Sequence, residues 1–215
     1  MAESIHSDVS MKESLRKLEV RIRAHRESAN FDVSDWIEGY VGRKPRTAIL
    51  DLGCGNGNHL GIYLEHVGRE GRGVGLVSSF AIYNAADPRS TIRELQRVAQ
   101  PGAEIVLIGP TSGNARELHD LNARLTGRPV DELILVRSDR IRREIVPIVR
   151  EVFGNSREEI LSSRLTFPSP EQFVQYFEST LFCERLEGVT REQMLSSVPR
   201  DLVVSKEMIA AVAVN

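Results

Sequence analysis

Residues 49–57 read Ile-Leu-Asp-Leu-Gly-Cys-Gly-Asn-Gly, and no other run limits the fold as strongly. An apolar segment that begins at Thr47 is cut off at Gly53, Gly55 and Gly57, and a helical pattern follows over Leu60–Val67. A short apolar run ending in glycines predicts a strand buried in a parallel sheet. Glycine supplies positive φ and lets backbone approach a ligand closely. The N-terminus of a following helix would offer free N–H groups to an anionic group. Two phosphate-binding loops are excluded by counting. The dinucleotide fingerprint needs a third glycine at position 58, which is Asn58. No Gly-Lys-Ser/Thr follows, so this is not a P-loop.

The rest of the chain supplies an α/β alternation. Leu15, Leu18 and Ile22 repeat at helical spacing in a first helix over Met11–Glu27, with a loose segment expected before it over Met1–Ser10. Phe31, Trp36, Ile37 and Tyr40 suggest a second, short helix. Gly73–Ile82 is strand-like, and Asp87-Pro88 opens a helix through Val98, with Asp as cap and Pro at its first position. Pro101-Gly102 ends that helix, and Glu104–Ile108 is the next strand. Asn114–Leu125 and Val130–Phe153 read as helices, the second kinked at Pro147. Together they suggest a helical cap inserted over about 114–155. A strand over Ile160–Phe167, a helix over Ser169–Leu181 and a buried strand over Met208–Val214 complete the pattern. Strands alternating with helices predict an α/β sandwich with a mostly parallel sheet. The expected division is a helical lead-in over 1–46 and a Rossmann-like domain over 47–215.

Composition excludes several classes. With 28 Lys+Arg against 30 Asp+Glu in 215 residues, the formal charge is −2, so no global field attracts nucleic acid. The basic side chains of the first helix, and Arg137, Arg140, Arg142, Arg143 and Arg150, read as solvent-facing. No apolar run reaches the roughly 20 residues of a membrane span. The first ten residues carry no signal-peptide core, so a cytoplasmic location is expected. Cys54 and Cys183 form neither a disulfide framework nor a metal-ligand pattern, and no metal is expected. Cys54 reads as a small packing residue rather than a nucleophile, and His59 as structural.

The glycine run Asp51-Leu52-Gly53-Cys54-Gly55-Asn56-Gly57 after an apolar strand resembles the first motif of class I S-adenosylmethionine-dependent methyltransferases. Ser78–Asn84 (SSFAIYN) resembles the strand-four motif of that family. Pro88–Pro110 resembles its next helix, Pro-Gly turn and strand five, and Leu165–Phe182 a later segment. The resemblance implies a Rossmann-like methyltransferase sandwich with S-adenosylmethionine as cofactor. It implies cofactor contacts from Asp51, Gly53, Cys54, Gly55, Asn56, Gly57, Ser79 and Phe80, with Asp51 anchoring the amino group and the glycines lying under the methionine moiety. It nominates no catalytic base. His25, Glu27, Tyr83 and His119 are pocket candidates only if the cap folds over the loop.

The sequence departs from the family between Gly73 and Phe80. Gly73–Leu76 resembles the second strand, which in the family ends in an acid that holds the ribose hydroxyls. Here Val77 follows and runs straight into Ser78. The intervening helix, the third strand and the adenine-side acid have no counterpart. A parallel crossover needs about 10–12 residues, so Gly73–Ile82 is expected to be one fused strand in a shortened sheet. The expected order is fused strand, Thr47–Leu52, Glu104–Ile108. Two functions follow. One is methyl transfer from the sulfonium to an O, N or C nucleophile of a small molecule. The other is a non-catalytic binding or regulatory module on the same scaffold, motivated by the missing anchors. The edge left by the absent strand would be free to pair with a second copy, so a homodimer is a further expectation.

Overall fold

The computed structural model describes residues 2–41, 48–54, 59, 63, 74–130, 132–199 and 201–215. The side chains of 2–14, 41, 74, 76, 133, 134, 137 and 185 lie outside that description. The expected helix over Leu60–Val67 and turn over Gly68–Gly73 fall mostly outside it, as do Gly55, Asn56 and Gly57.

Contacts divide the chain into two compact units. The larger comprises Val33–Asn114, Glu132–Ser162 and Lys206–Asn215. It holds helix α2 (Val33–Val41), strand β1 (Ala48–Asp51), strand β2 (Val74–Ser79) and a 3-10 turn at Ile82–Asn84. Helix α3 (Pro88–Val98) and strand β3 (Glu104–Pro110) follow. The smaller unit comprises Met1–Asp32, Ala115–Asp131 and Ser163–Ser205. It holds helix α1 (Ala2–Ser28), which takes in the stretch expected to be loose, and helix α4 (Arg116–Thr126). Helix α5 (Glu132–Ser138), a π-helical turn over Ile141–Ile145 and helix α6 (Val146–Phe153) return to the larger unit. Strand β4 (Ser156–Phe167) leads into helices α7 (Pro170–Glu178) and α8 (Arg191–Ser197) of the smaller one, and strand β5 (Leu202–Val214) ends the chain.

The sheet has five strands in the order β1-β2-β3-β5-β4. β1 pairs β2 and β2 pairs β3 in parallel, and β3 pairs β5 antiparallel. This corrects the expected order. Leu76 and Val77 pair with Leu50 and Asp51, while Leu76–Ser79 also pair with Ile105–Ile108 on the other edge. The fused strand therefore lies between β1 and β3, not beyond β1. Consecutive elements joined by one helix tend to sit side by side, and α3 joins β2 to β3 directly. One short strand has two edges, and here β1 and β3 take them. The strand also ends at Ser79, earlier than expected, because Phe80 turns the chain with φ +60°.

β1 is also less covered than an apolar run predicts. Its burial alternates between exposed and half-buried, and Leu50 is 45% exposed. Among the described residues only β2 pairs with it. β3 is the opposite case, with Ile105, Leu107 and Ile108 fully buried. On one face of the sheet, Ile105, Leu107, Ile209, Ala211 and Ala213 pack with Ile92 and Leu95 of α3 and with Ile141, Ile145, Ile148 and Val149. Asp87 caps α3 by accepting from the Ser90 N–H at 3.0 Å, with Pro88 at the first turn, as the sequence predicts. The helical backbone runs without a break from Arg140 through the π turn Ile141–Ile145 into α6, so Pro147 lies inside it and the irregularity comes directly before the residue that lacks an N–H.

The smaller unit has its own core. Leu118, Leu121, Leu165, Phe167, Phe173, Tyr176, Phe177 and Met194 cluster there. Asn30 closes the edge of β4: its N–H donates to the Arg164 carbonyl at 3.1 Å, and its side-chain oxygen accepts from the Arg164 N–H at 2.7 Å. Among the described residues no helix is long and apolar enough to cross a membrane.

Candidate functional site

Parallel strands present their carboxyl ends on one side of a sheet, and ligands of open α/β sheets bind there. β1 ends at Asp51 and β2 at Ser79. Two hydrogen bonds pin the end of β1 to β2. The Leu52 N–H donates to the Val77 carbonyl at 2.8 Å, and the buried Ser78 hydroxyl donates to the Leu52 carbonyl at 3.1 Å. Asp51 is in register with Val77, and partners in register share a face, so Asp51, Val77 and Ser79 project to the same side. Ser78 projects to the opposite side.

Gly53 turns the chain with φ +80°. A Cβ built on it would lie 2.3 Å from the Cβ of Ala81, so the glycine turn after β1 touches the turn after β2. Only glycine fits that contact. Phe80, at φ +60° and 37% exposed, is held in the left-handed region by its N–H, which donates to the Ile108 carbonyl at 2.9 Å. Such a conformation costs a bulky residue about 1–3 kcal/mol and persists where the surroundings fix it. Cys54 is exposed.

Burial raises the pKa of the Asp51 carboxyl, and the nearby His59 opposes that shift. Tyr63 is buried, and its phenol is pushed well above its ordinary pKa by burial and then by Asp51. The Tyr63 N–H donates to the His59 carbonyl at 3.2 Å, a helical bond that stacks the two residues one turn apart. The Tyr63 hydroxyl and the Ser79 hydroxyl are buried and find no hydrogen-bond partner among the described residues. Buried polar atoms are nearly always paired, so two orphans near these strand ends are consistent with a ligand that completes them.

The expected residues divide clearly. Asp51, Gly53, Ser79 and Phe80 meet around the ends of β1 and β2. Gly55, Asn56 and Gly57 lie outside the described residues. Tyr83 stands in the turn after β2, its phenol pKa raised by burial. His25, Glu27 and His119 belong to the smaller unit, where His119 is buried edge-on to Phe182 at 4.5 Å. Sequence reasoning missed Tyr63 and gave His59 no role. Their spacing of four within a helical pattern was the available signal. Among the described residues no three His, Cys, Asp or Glu side chains gather to hold a metal.

A solved structure shares this architecture. A provisionally assigned type II methyltransferase from Anaeromyxobacter dehalogenans superposes with a TM-score of 0.51 at 17% identity, covering 83% of this chain and 95% of that one. The chain has the class I methyltransferase fold. A provisionally assigned methyltransferase from Bacillus halodurans C-125 reaches a TM-score of 0.48 at 12% identity, over 84% of this chain and 97% of that one. No protein-family model and no curated protein sequence matches the chain. At these identities the likeness concerns the fold, and the chemistry of a methyltransferase fold is argued from its site.

Proposed function

We propose that the chain is an S-adenosylmethionine-dependent methyltransferase acting on a small molecule. The observation that carries this reading is the contact of Gly53 with Ala81, which sets the glycine turn against the turn after β2 beside Asp51. The residues present fit the methionine end of the cofactor. Asp51 offers a carboxylate to an ammonium group, Gly53 leaves room where any side chain would intrude, and Ser79 and Tyr63 carry hydroxyls with no partner among the described residues. Cys54, Gly55, Asn56, Gly57 and Phe80 complete the proposed contact set. When bound, the cofactor would supply its sulfonium methyl group to an O, N or C nucleophile of the substrate, with S-adenosylhomocysteine as the thioether that leaves. The chain's own part is to orient that donor and exclude water around it.

One observation favours the second reading, a non-catalytic binding or regulatory module. The order β1-β2-β3 advances in one direction. The crevice that binds nucleotides in such sheets opens where strand order reverses, and among the described residues no strand lies beyond β1 to create a reversal there. Nor does an acid follow Leu76 and Val77 to hold ribose hydroxyls. Calorimetric titration with S-adenosylmethionine and S-adenosylhomocysteine decides between the two. Micromolar binding supports the enzyme. No heat from a folded chain favours the module.

A further inference from the structure

The turn that carries Phe80 is held on several sides. Gly53 meets it at Ala81. Gly109 of β3 lies under Tyr83: a Cβ there would stand 2.9 Å from Tyr83 Cδ1 and 3.1 Å from Ile141 Cβ. Arg140 closes it from the helical segment that precedes α6. One guanidinium nitrogen donates to two carbonyls, Tyr83 at 2.7 Å and Ala85 at 2.9 Å. Nε donates to Glu144, four residues on across the π turn, which fixes the plane of the guanidinium. Those carbonyls lie at the C-terminal end of the short 3-10 turn Ile82–Asn84, whose backbone partial negative charge a cation stabilises. The π turn adds meaning, because such turns recur where a helix is adjusted for function. The neighbouring Arg142, Arg143 and Arg150 are exposed and pair with carboxylates.

We propose that Arg140 is a positioning residue for the methyl-donor site: by gripping the Tyr83 and Ala85 carbonyls it holds Ser79 and Phe80 where a ligand meets them. This rests on the cofactor reading above. Lysine cannot replace it, since a single ammonium lacks the planar fork that here serves two carbonyls and Glu144 together.

The test joins hydrogen exchange to calorimetry in Arg140→Met, Arg140→Lys and Arg140→Ala, with Arg150→Met as the control. In the ligand-free protein, exchange at the Asn84 and Ala85 amides, which bond to Ala81 and Ile82, should quicken in the Met and Lys variants and stay unchanged in the control. Affinity for S-adenosylhomocysteine should fall at least about tenfold, the equivalent of losing one hydrogen bond from a charged donor. Free guanidinium should restore part of it in Arg140→Ala, which a general loss of folding would not allow. Loosened amides with unchanged affinity would overturn the positioning role, and so would unchanged amides. A wild-type chain that takes up no S-adenosylhomocysteine removes the cofactor reading and this inference with it. Wild-type binding that Arg140→Met leaves intact overturns the inference alone.

Discussion

β1 and β3 are similar as sequences: each is a short apolar run beside glycine or proline. They differ sharply as structures. β3 is flanked by β2 and β5, with seven residues in register against β5, and Ile105 and Leu107 are 0% exposed. β1 has four residues, pairs with β2 alone among the described residues, and leaves Leu50 45% exposed. An apolar strand records what its fold can pack on it; the neighbours present decide whether it is buried. Here the residues with chemical potential are Asp51, at the end of the less supported strand, and Gly53, in the turn that follows it. That is the end of the stability range from which binding segments are drawn.

The comparison can be broken most decisively in the core. Leu107→Ala removes a fully buried side chain and should cost about 2–5 kcal/mol. Leu50→Ala, on the exposed strand, should change stability by no more than about 0.5 kcal/mol. Urea unfolding of both variants measures this. Equal costs would mean that β1 is covered in solution and that the contrast is false.

The glycine turn comes next. Gly53→Ala places a Cβ 2.3 Å from that of Ala81 and puts an L side chain at φ +80°. The conformation alone costs about 1–3 kcal/mol, and relief of the clash requires the two turns to part. Stability and ligand affinity should both fall. Adding Ala81→Gly removes the clash but not the backbone strain, so the double variant should recover only part of the loss. Full recovery in a double-mutant cycle would show that φ at Gly53 is unimportant.

Much of this was legible because local chemistry settles it. Asp87 and Pro88 start α3, and Ser169 caps α7 by accepting from the Gln172 N–H; helix α8, opened by the capping box of Thr190 and Gln193, was not foreseen. The alternation that makes β1, β2 and β3 parallel neighbours in one sheet was legible for the same reason. Strand order was not, because it depends on which edge of Val74–Ser79 each neighbour takes, and both edges are backbone. The exposure of Leu50 was hidden, since periodicity reports a face and not its cover. Arg140 was read as solvent-facing with its neighbours; its partners are carbonyls of Tyr83 and Ala85, more than fifty residues away, and carbonyls leave no mark in sequence. Tyr63 was lost among the apolar residues of its segment, with its hydroxyl the one distinguishing atom.

The smallest expected effect separates site from scaffold most cleanly. Burial raises the Asp51 pKa in the folded chain, so its ionised form is less favourable there than in the unfolded one. The sign follows from proton counting. Between the ordinary carboxyl value near about 3.9 and the raised folded value, the folded chain holds more protons than the unfolded one. Stability from this group is present below the unfolded pKa and is lost as pH rises through the folded pKa. Asp51→Asn removes the charge and that pH dependence. At neutral pH the variant should therefore unfold at the same temperature as wild type or slightly higher, and its advantage should shrink on acidification. The same substitution removes the carboxylate proposed to hold an ammonium group, so S-adenosylhomocysteine affinity should fall although stability does not. A variant that loses stability would instead make Asp51 a tie for the turn after β1. Intact stability with intact affinity would take Asp51 out of the site and leave Gly53, Ser79 and Tyr63 to account for binding.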